Sequence, residues 1–190
     1  FWCSDDTDPY ERLYIQWSLS KFFPAKTMGS HVTNWNKNTS VKFRTDVCSS
    51  CKLGFDIDLK SLSEDDYKFV QQAVKNYNSM KPVILEGDQY RLVSPYEGSH
   101  CAVNYVSKDK QRAVLFAYDL HPRYKEPQMN VKLQGLNPTK VYTVKETNLM
   151  PGKISELECD GKQYSGDYLM KVGLSVFSAQ DGTSHVLTLE

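Results

Sequence analysis

No charge of one sign dominates this chain of 190 residues: 23 Lys and Arg stand against 23 Asp and Glu, with no long block of either. An electrostatic footprint for nucleic acid or for an anionic membrane is missing, so neither is expected as a partner. A neutral ligand such as a sugar fits the balance. No apolar run approaches the roughly 20 residues of a membrane-spanning helix, and no basic segment followed by an apolar one opens the chain. Cysteine is scarce as well. The five are odd in number and scattered, which excludes a complete disulfide framework and points to a reduced, disulfide-poor protein. There is no internal repeat and no low-complexity tract. What is present is 40% hydrophobic and 12% aromatic residues, enough for one substantial core or two small ones.

The opening triplet Phe1-Trp2-Cys3 is apolar and reads as the middle of a strand, which predicts a piece excised from a longer protein with any targeting segment upstream. Residues 1–89 alternate short apolar strands with helical segments. A strand over Phe1–Ser4 leads to a helix from Asp8 to about Phe23, where Tyr10, Leu13, Tyr14 and Trp17 repeat at helical spacing. Asp8 suits the N-cap, Pro9 the first helical position, and Glu11 completes a capping box; Pro24 stops the helix. A strand around Met28–Thr33, a polar loop over Asn34–Asn38 and a helix from Ser40 to about Lys52 follow. Then come an alternating strand, Leu53–Leu59, and a helix capped by Ser63 with Glu64, Asp65 and Asp66 offsetting its dipole. Its expected buried stripe is Tyr67, Val70, Ala73, Val74 and Tyr77. Three such β/α units are the repeat of a parallel sheet and too few to close a barrel.

Residues 90–190 show only strand and turn signals, at period two: Tyr90–Ser94, Cys101–Ser107, Arg112–Tyr118, Met129–Gln134, Val141–Thr147, Leu174–Phe177 and His185–Leu189. Lys108-Asp109-Lys110 joins one expected hairpin, and Ala179–Thr183, with its Asp181-Gly182 turn, joins the last. This spacing implies an antiparallel sandwich or barrel. Tyr105, Phe116, Tyr118 and Tyr142 read as core or cross-strand pairs, which gives the second part a structural role.

Acid is densest at the end of the first strand, in Ser4-Asp5-Asp6-Thr7-Asp8 with Glu11 one turn on. Carboxylates where a strand passes into its helix lie at the C-terminal face of a parallel α/β barrel, the face that carries active sites. Asp8 is needed as a cap and Asp6 can be solvated; Asp5 has no equally good structural explanation. His31, at the end of the second strand, faces a sugar or is a hydrogen-bonded structural residue. Trp35 stacks on a sugar ring or wedges against the rim. Cys48-Ser49-Ser50-Cys51 has redox or metal spacing, but it lies within a helical pattern that also buries Phe43 and Val47. With no second pair at zinc spacing, core packing is preferred and no metal is expected. Asn38-Thr39-Ser40 fits a glycosylation acceptor.

The run Trp2-Cys3-Ser4-Asp5-Asp6-Thr7-Asp8-Pro9-Tyr10-Glu11-Arg12-Leu13, then Ile15-Gln16 and Met28-Gly29-Ser30-His31-Val32, resembles the pattern of glycoside hydrolase family 36. Leu53-Gly54-Phe55-Asp56-Ile57-Asp58, Tyr90-Arg91-Leu92 and Tyr164-Ser165-Gly166-Asp167-Tyr168-Leu169-Met170 are similar to later segments of that family. The resemblance implies that Asp5 is the general acid/base, with Asp8 second, and that Trp2, His31 and Trp35 are candidate substrate-binding residues. Asn often stands at the Asp6 position in the family, which speaks against Asp6. The family's Lys-Trp-Asp nucleophile segment and Cys-x-Gly-Gly-Gly loop are absent. The reading that follows is the last three β/α units of a (β/α)8 barrel (1–89) and a C-terminal antiparallel β-sandwich (90–190). They would belong to a retaining α-galactosidase acting on terminal α-galactosides of the raffinose and melibiose type. No metal or organic cofactor is expected, the chain itself should be inactive, and its broken barrel edges predict a homo-oligomer. A non-catalytic sugar-binding or structural module and a galactosyl transferase of the same superfamily are the rival readings.

Overall fold

Three helices begin where a side chain takes over an orphaned backbone amide. Asp8 accepts from the Tyr10 and Glu11 amides at the start of α1 (Pro9–Leu19). After β1 (Gly29–Thr33), Ser40 caps α2 (Val41–Ser49) through the Phe43 amide. After β2 (Lys52–Asp56), Ser63 caps α3 (Glu64–Glu86) through the Asp66 amide. The second part comprises β3 (Asp88–Val93), β4 (His100–Val106), β5 (Ala113–Asp119), β6 (Asn130–Val131), β7 (Val141–Thr147), β8 (Gln163–Ser165), α4 (Gly166–Lys171), β9 (Leu174–Ser175) and β10 (Thr183–Leu189). This computed structural model describes all residues except Lys37, Gln128 and Ala179. Lys37 falls in the expected polar loop and Ala179 opens the expected last turn, so both lie outside the described residues.

The parallel part holds two strands in register and one bridging residue beside them. Trp2 bridges Gly29, and β1 pairs with β2 so that His31 faces Gly54. The strand expected over Phe1–Ser4 is reduced to that single bridge, and the one expected over Leu53–Leu59 ends at Asp56. Asp58 then caps a 3₁₀ turn, Leu59–Ser61, in place of further strand. The capping box at α1 is not closed, because the Asp8 amide donates to Asp6 Oδ1. That helix also stops at Leu19, short of Phe23, where Ser20 Oγ turns back onto the Trp17 carbonyl. The buried stripe of α3 runs through Phe69, Val70, Ala73, Tyr77, Met80, Val83 and Ile84, while Tyr67 and Val74 face solvent. The helix must cover α2 with its first half and the antiparallel sheet with its second, which rotates the stripe from the expected phase.

The antiparallel sheet has the order β3-β4-β5-β10-β7-β8. Every residue of β4 and β5 is buried because both faces are covered. One face presents Val103, Phe116 and Val186 to Leu13, Phe43, Val47 and Ile84 of the helices. The other presents Ala102, Leu115 and Leu187 to Val131, Leu136, Leu169 and Leu174. These come from the β6–β9 ladder, α4 and their loops. Tyr105, Phe116, Tyr118 and Tyr142 are core residues. The expected hairpin of Leu174–Phe177 with His185–Leu189 does not form: β9 pairs with β6, and β10 inserts between β5 and β7. The strand expected over Met129–Gln134 shrinks to Asn130–Val131, while β8 and α4 occupy a stretch for which no elements were expected. Ser165 caps α4 through the Tyr168 amide.

Candidate active site

The loops after the first two parallel strands are tied side by side at their C-terminal edge. Thr7 and Thr33 share a hydroxyl–hydroxyl bond of 2.7 Å, and Asn36 Nδ2 donates to Asp8 Oδ2 at 2.6 Å. Within this edge the three aspartates differ sharply in their partners. Asp6 Oδ1 accepts the Asp8 amide at 2.9 Å. Asp8 Oδ1 accepts the Tyr10 amide at 2.9 Å and the Glu11 amide at 3.3 Å, so both Asp8 oxygens are engaged. Asp5 is exposed, and its carboxylate takes no hydrogen bond or ion pair from any described residue. Of the three, Asp5 alone has neither carboxylate oxygen engaged by a described residue.

Arg12, fully buried beneath this loop, donates from Nε to the Asp6 carbonyl at 2.6 Å and from Nη2 to the Ser4 carbonyl at 2.8 Å. Sequence reasoning missed it. The signal was a charged residue beside Leu13 in the first turns of a helix whose buried face proved to be Pro9, Arg12, Leu13 and Gln16.

Trp2 and His31 are brought together, their rings meeting edge to face at 4.2 Å. The His31 ring lies directly over Gly54, where a Cβ would stand 2.1 Å from His31 Cδ2. Glycine at 54 is what gives the imidazole its place. Burial, with the Arg12 charge adding to it, lowers the His31 pKa and favours the neutral ring. Trp35 stands apart: its amide donates to Thr33 Oγ1, while the residue is 60% exposed and its ring touches no other described ring. It is not wedged against the rim.

Cys48 and Cys51 are buried, free thiols at the end of α2. Burial raises both, Cys48 to about 11 and Cys51 further, which makes them inert packing residues rather than a redox pair. Among the described residues no three His, Cys, Asp or Glu side chains converge as a metal site. At the possible glycosylation acceptor, Asn38 is exposed and Thr39 Oγ1 donates to the Asn36 carbonyl.

Two family models match the chain: one described as Melibiase over residues 1–87, and one described as Glycosyl hydrolase family 36 C-terminal domain over residues 100–189. The probable alpha-galactosidase G of Aspergillus terreus is 30% identical across 100% of this chain, which covers 25% of that protein. Alpha-galactosidase 2 of Hypocrea jecorina is also 30% identical across 100% of the chain, with 24% of its own length covered. Among solved structures, the GH36 alpha-galactosidase AgaB of Geobacillus stearothermophilus superposes with a TM-score of 0.86 at 28% identity, over 99% of this chain and 25% of that one. A variant of AgaA from the same organism, solved with raffinose, gives 0.85 at 27% identity over 98% and 25%; another, solved with stachyose, gives 0.85 at 28% over the same shares. The chain thus spans about a quarter of the length of these relatives.

Proposed function

The chain belongs to glycoside hydrolase family 36, and we propose that it supplies the proton-donor half of a retaining α-galactosidase whose nucleophile lies upstream. In this reading Trp2, β1 and β2 with their helices are the last three β/α units of a (β/α)8 barrel, braced by the antiparallel domain. The names of the relatives and the raffinose and stachyose bound to two neighbours support terminal α-galactosides as substrates.

The observation that carries the reading is the division of labour among the acids. Asp8 spends both carboxylate oxygens on backbone amides and Asn36 and Asp6 spends its Oδ1 on the Asp8 amide, whereas neither oxygen of the exposed Asp5 is engaged. Retention needs two carboxyl groups about 5–5.5 Å apart. Asp5 protonates the glycosidic oxygen while an upstream carboxylate attacks the anomeric carbon, and Asp5 then takes the proton of the water that releases the sugar. Trp2 and the neutral His31 form the wall beside it, the indole offering a face and the imidazole a hydrogen bond to a hydroxyl. Trp35 offers an exposed ring for stacking.

In the full-length protein, Asp5→Ala should lower kcat/KM for raffinose by about 10²–10⁴-fold while largely sparing an aryl α-galactoside with a good leaving group, which needs little protonation. Asp8→Ala should instead cost about 1 kcal/mol of stability with no such dependence. If the leaving-group dependence follows Asp8, the assignment is wrong. The 190-residue chain alone should show no turnover.

The open edge of its parallel strands should also drive self-association through residues 1–60. Light scattering showing a monodisperse monomer at high concentration would refute that.

A further inference from the structure

We infer that Arg12 is the positioning residue of the acid loop, holding Asp5 in place by gripping the backbone on both sides of it. The inference rests on Asp5 being the proton donor. A fully buried guanidinium is costly without a counter-ion, yet no ion pair among the described residues includes Arg12, and its Nη1 is buried without a hydrogen-bond partner. A helix that needed only packing here would use leucine or methionine. What Arg12 does instead is specific to a planar fork: Nε and Nη2 fix the carbonyls of Asp6 and Ser4 at 2.6 and 2.8 Å, and these two peptides bracket Asp5. The start of the helix does not require this, since Asp8 already satisfies the Tyr10 and Glu11 amides.

The same cation lies 5.6 Å from the centroid of the Trp2 ring, which meets His31 edge to face. One side chain therefore braces both the acid and the wall beside it, and neither the acid loop nor Trp2 can shift without losing contact with it. Because Arg12 is shut away behind the loop, it acts through Asp5 and does not meet the sugar.

The test uses the full-length protein carrying Arg12→Lys, which keeps the charge but reaches one point where the fork reaches two. Displacement of a catalytic group by about 1 Å costs on the order of a hundredfold. We expect kcat/KM for raffinose to fall by about that factor, with a 2,4-dinitrophenyl α-galactoside nearly unchanged and KM little altered. Added millimolar guanidinium should restore part of the raffinose activity of Arg12→Ala. Equal loss on both substrates, no loss on either, or variants that are unfolded by circular dichroism would each reduce Arg12 to a fold staple and overturn the inference. Asp5→Ala run in parallel separates the two levels. If it lacks leaving-group dependence, the reading of Asp5 falls; if it shows that dependence and Arg12→Lys does not, only the positioning role falls.

Discussion

In the antiparallel sheet every side chain of β4 and β5 is buried, whichever face it points to. In the parallel sheet Ser30 and Val32 are shut against the helices, but Gly29, His31 and Thr33 on the opposite face stay partly open. The candidate chemistry lies entirely on the open side, at Trp2, Asp5 and His31. The fully buried strands and the candidate site thus lie in different sheets, and α1, α2 and α3 belong to both, backing the parallel strands and covering the antiparallel ones.

The strongest way to break this contrast is at the shared core. Phe116 is fully buried on the helix-facing side, between the rings of Tyr105 and Tyr118. Phe116→Ala should cost about 3–5 kcal/mol and unfold both parts together. The three tryptophans, Trp2, Trp17 and Trp35, all lie in the parallel part, so their fluorescence reports it separately. A urea transition in tryptophan fluorescence that ignores Phe116→Ala, while circular dichroism responds, would show two independent cores.

A smaller effect concerns a buried carboxylate within the closed sheet. Glu146 Oε1 lies 2.6 Å from His185 Nδ1, and its Oε2 accepts from Ser155 Oγ. Burial alone would raise the Glu146 pKa, but the bonds to His185 and Ser155, helped by the nearby Lys42 charge, outweigh it and hold it below the usual glutamate range. With the folded value below the unfolded one, its stabilisation is present above the unfolded pKa and is lost as pH falls through the folded value. Glu146→Gln should lower stability at neutral pH by about 1.5–3 kcal/mol and flatten the acid limb. Urea midpoints measured as a function of pH check this; an unchanged acid limb would exclude Glu146 as its cause.

The smallest effect is expected on the open side. Trp2 is 41% exposed, and Trp2→Ala should change the stability of this chain by no more than about 1 kcal/mol. A larger fall in thermal melting would mean that the face is closed.

Much of this was legible in the sequence where the signal is local. Asp8 and Ser63 each cap the helix expected of them, the helix expected from Ser40 starts there, and β7 runs over Val141–Thr147 as its alternation implied. Asp5 stood out because its neighbours had structural uses and it did not. What could not be read depends on distant partners. The hairpin expected around Asp181-Gly182 gave way because β10 found β5 and β7. The six residues of α4 are too few to display a helical period. Arg12 was hidden for the same kind of reason, since nothing local distinguishes a surface arginine from one that reaches back to the carbonyls of Ser4 and Asp6.

The place of β10 has a consequence for how the protein is made. Residues 183–189 are translated after β3 to β9, yet they sit between β5 and β7. Until the ribosome has passed them, β5 has an unpaired edge and the helix-facing core lacks Val186. The nascent chain must therefore carry an unfinished sheet from the end of β5 at Asp119 until Thr183 has been made, a state open to aggregation and to chaperones. Closing it pairs β10 with β5, more than 60 residues away in the chain, which makes this step slow. A ribosome stalled shortly before residue 183 would hold a chain whose helices are written in full but whose common support cannot yet form.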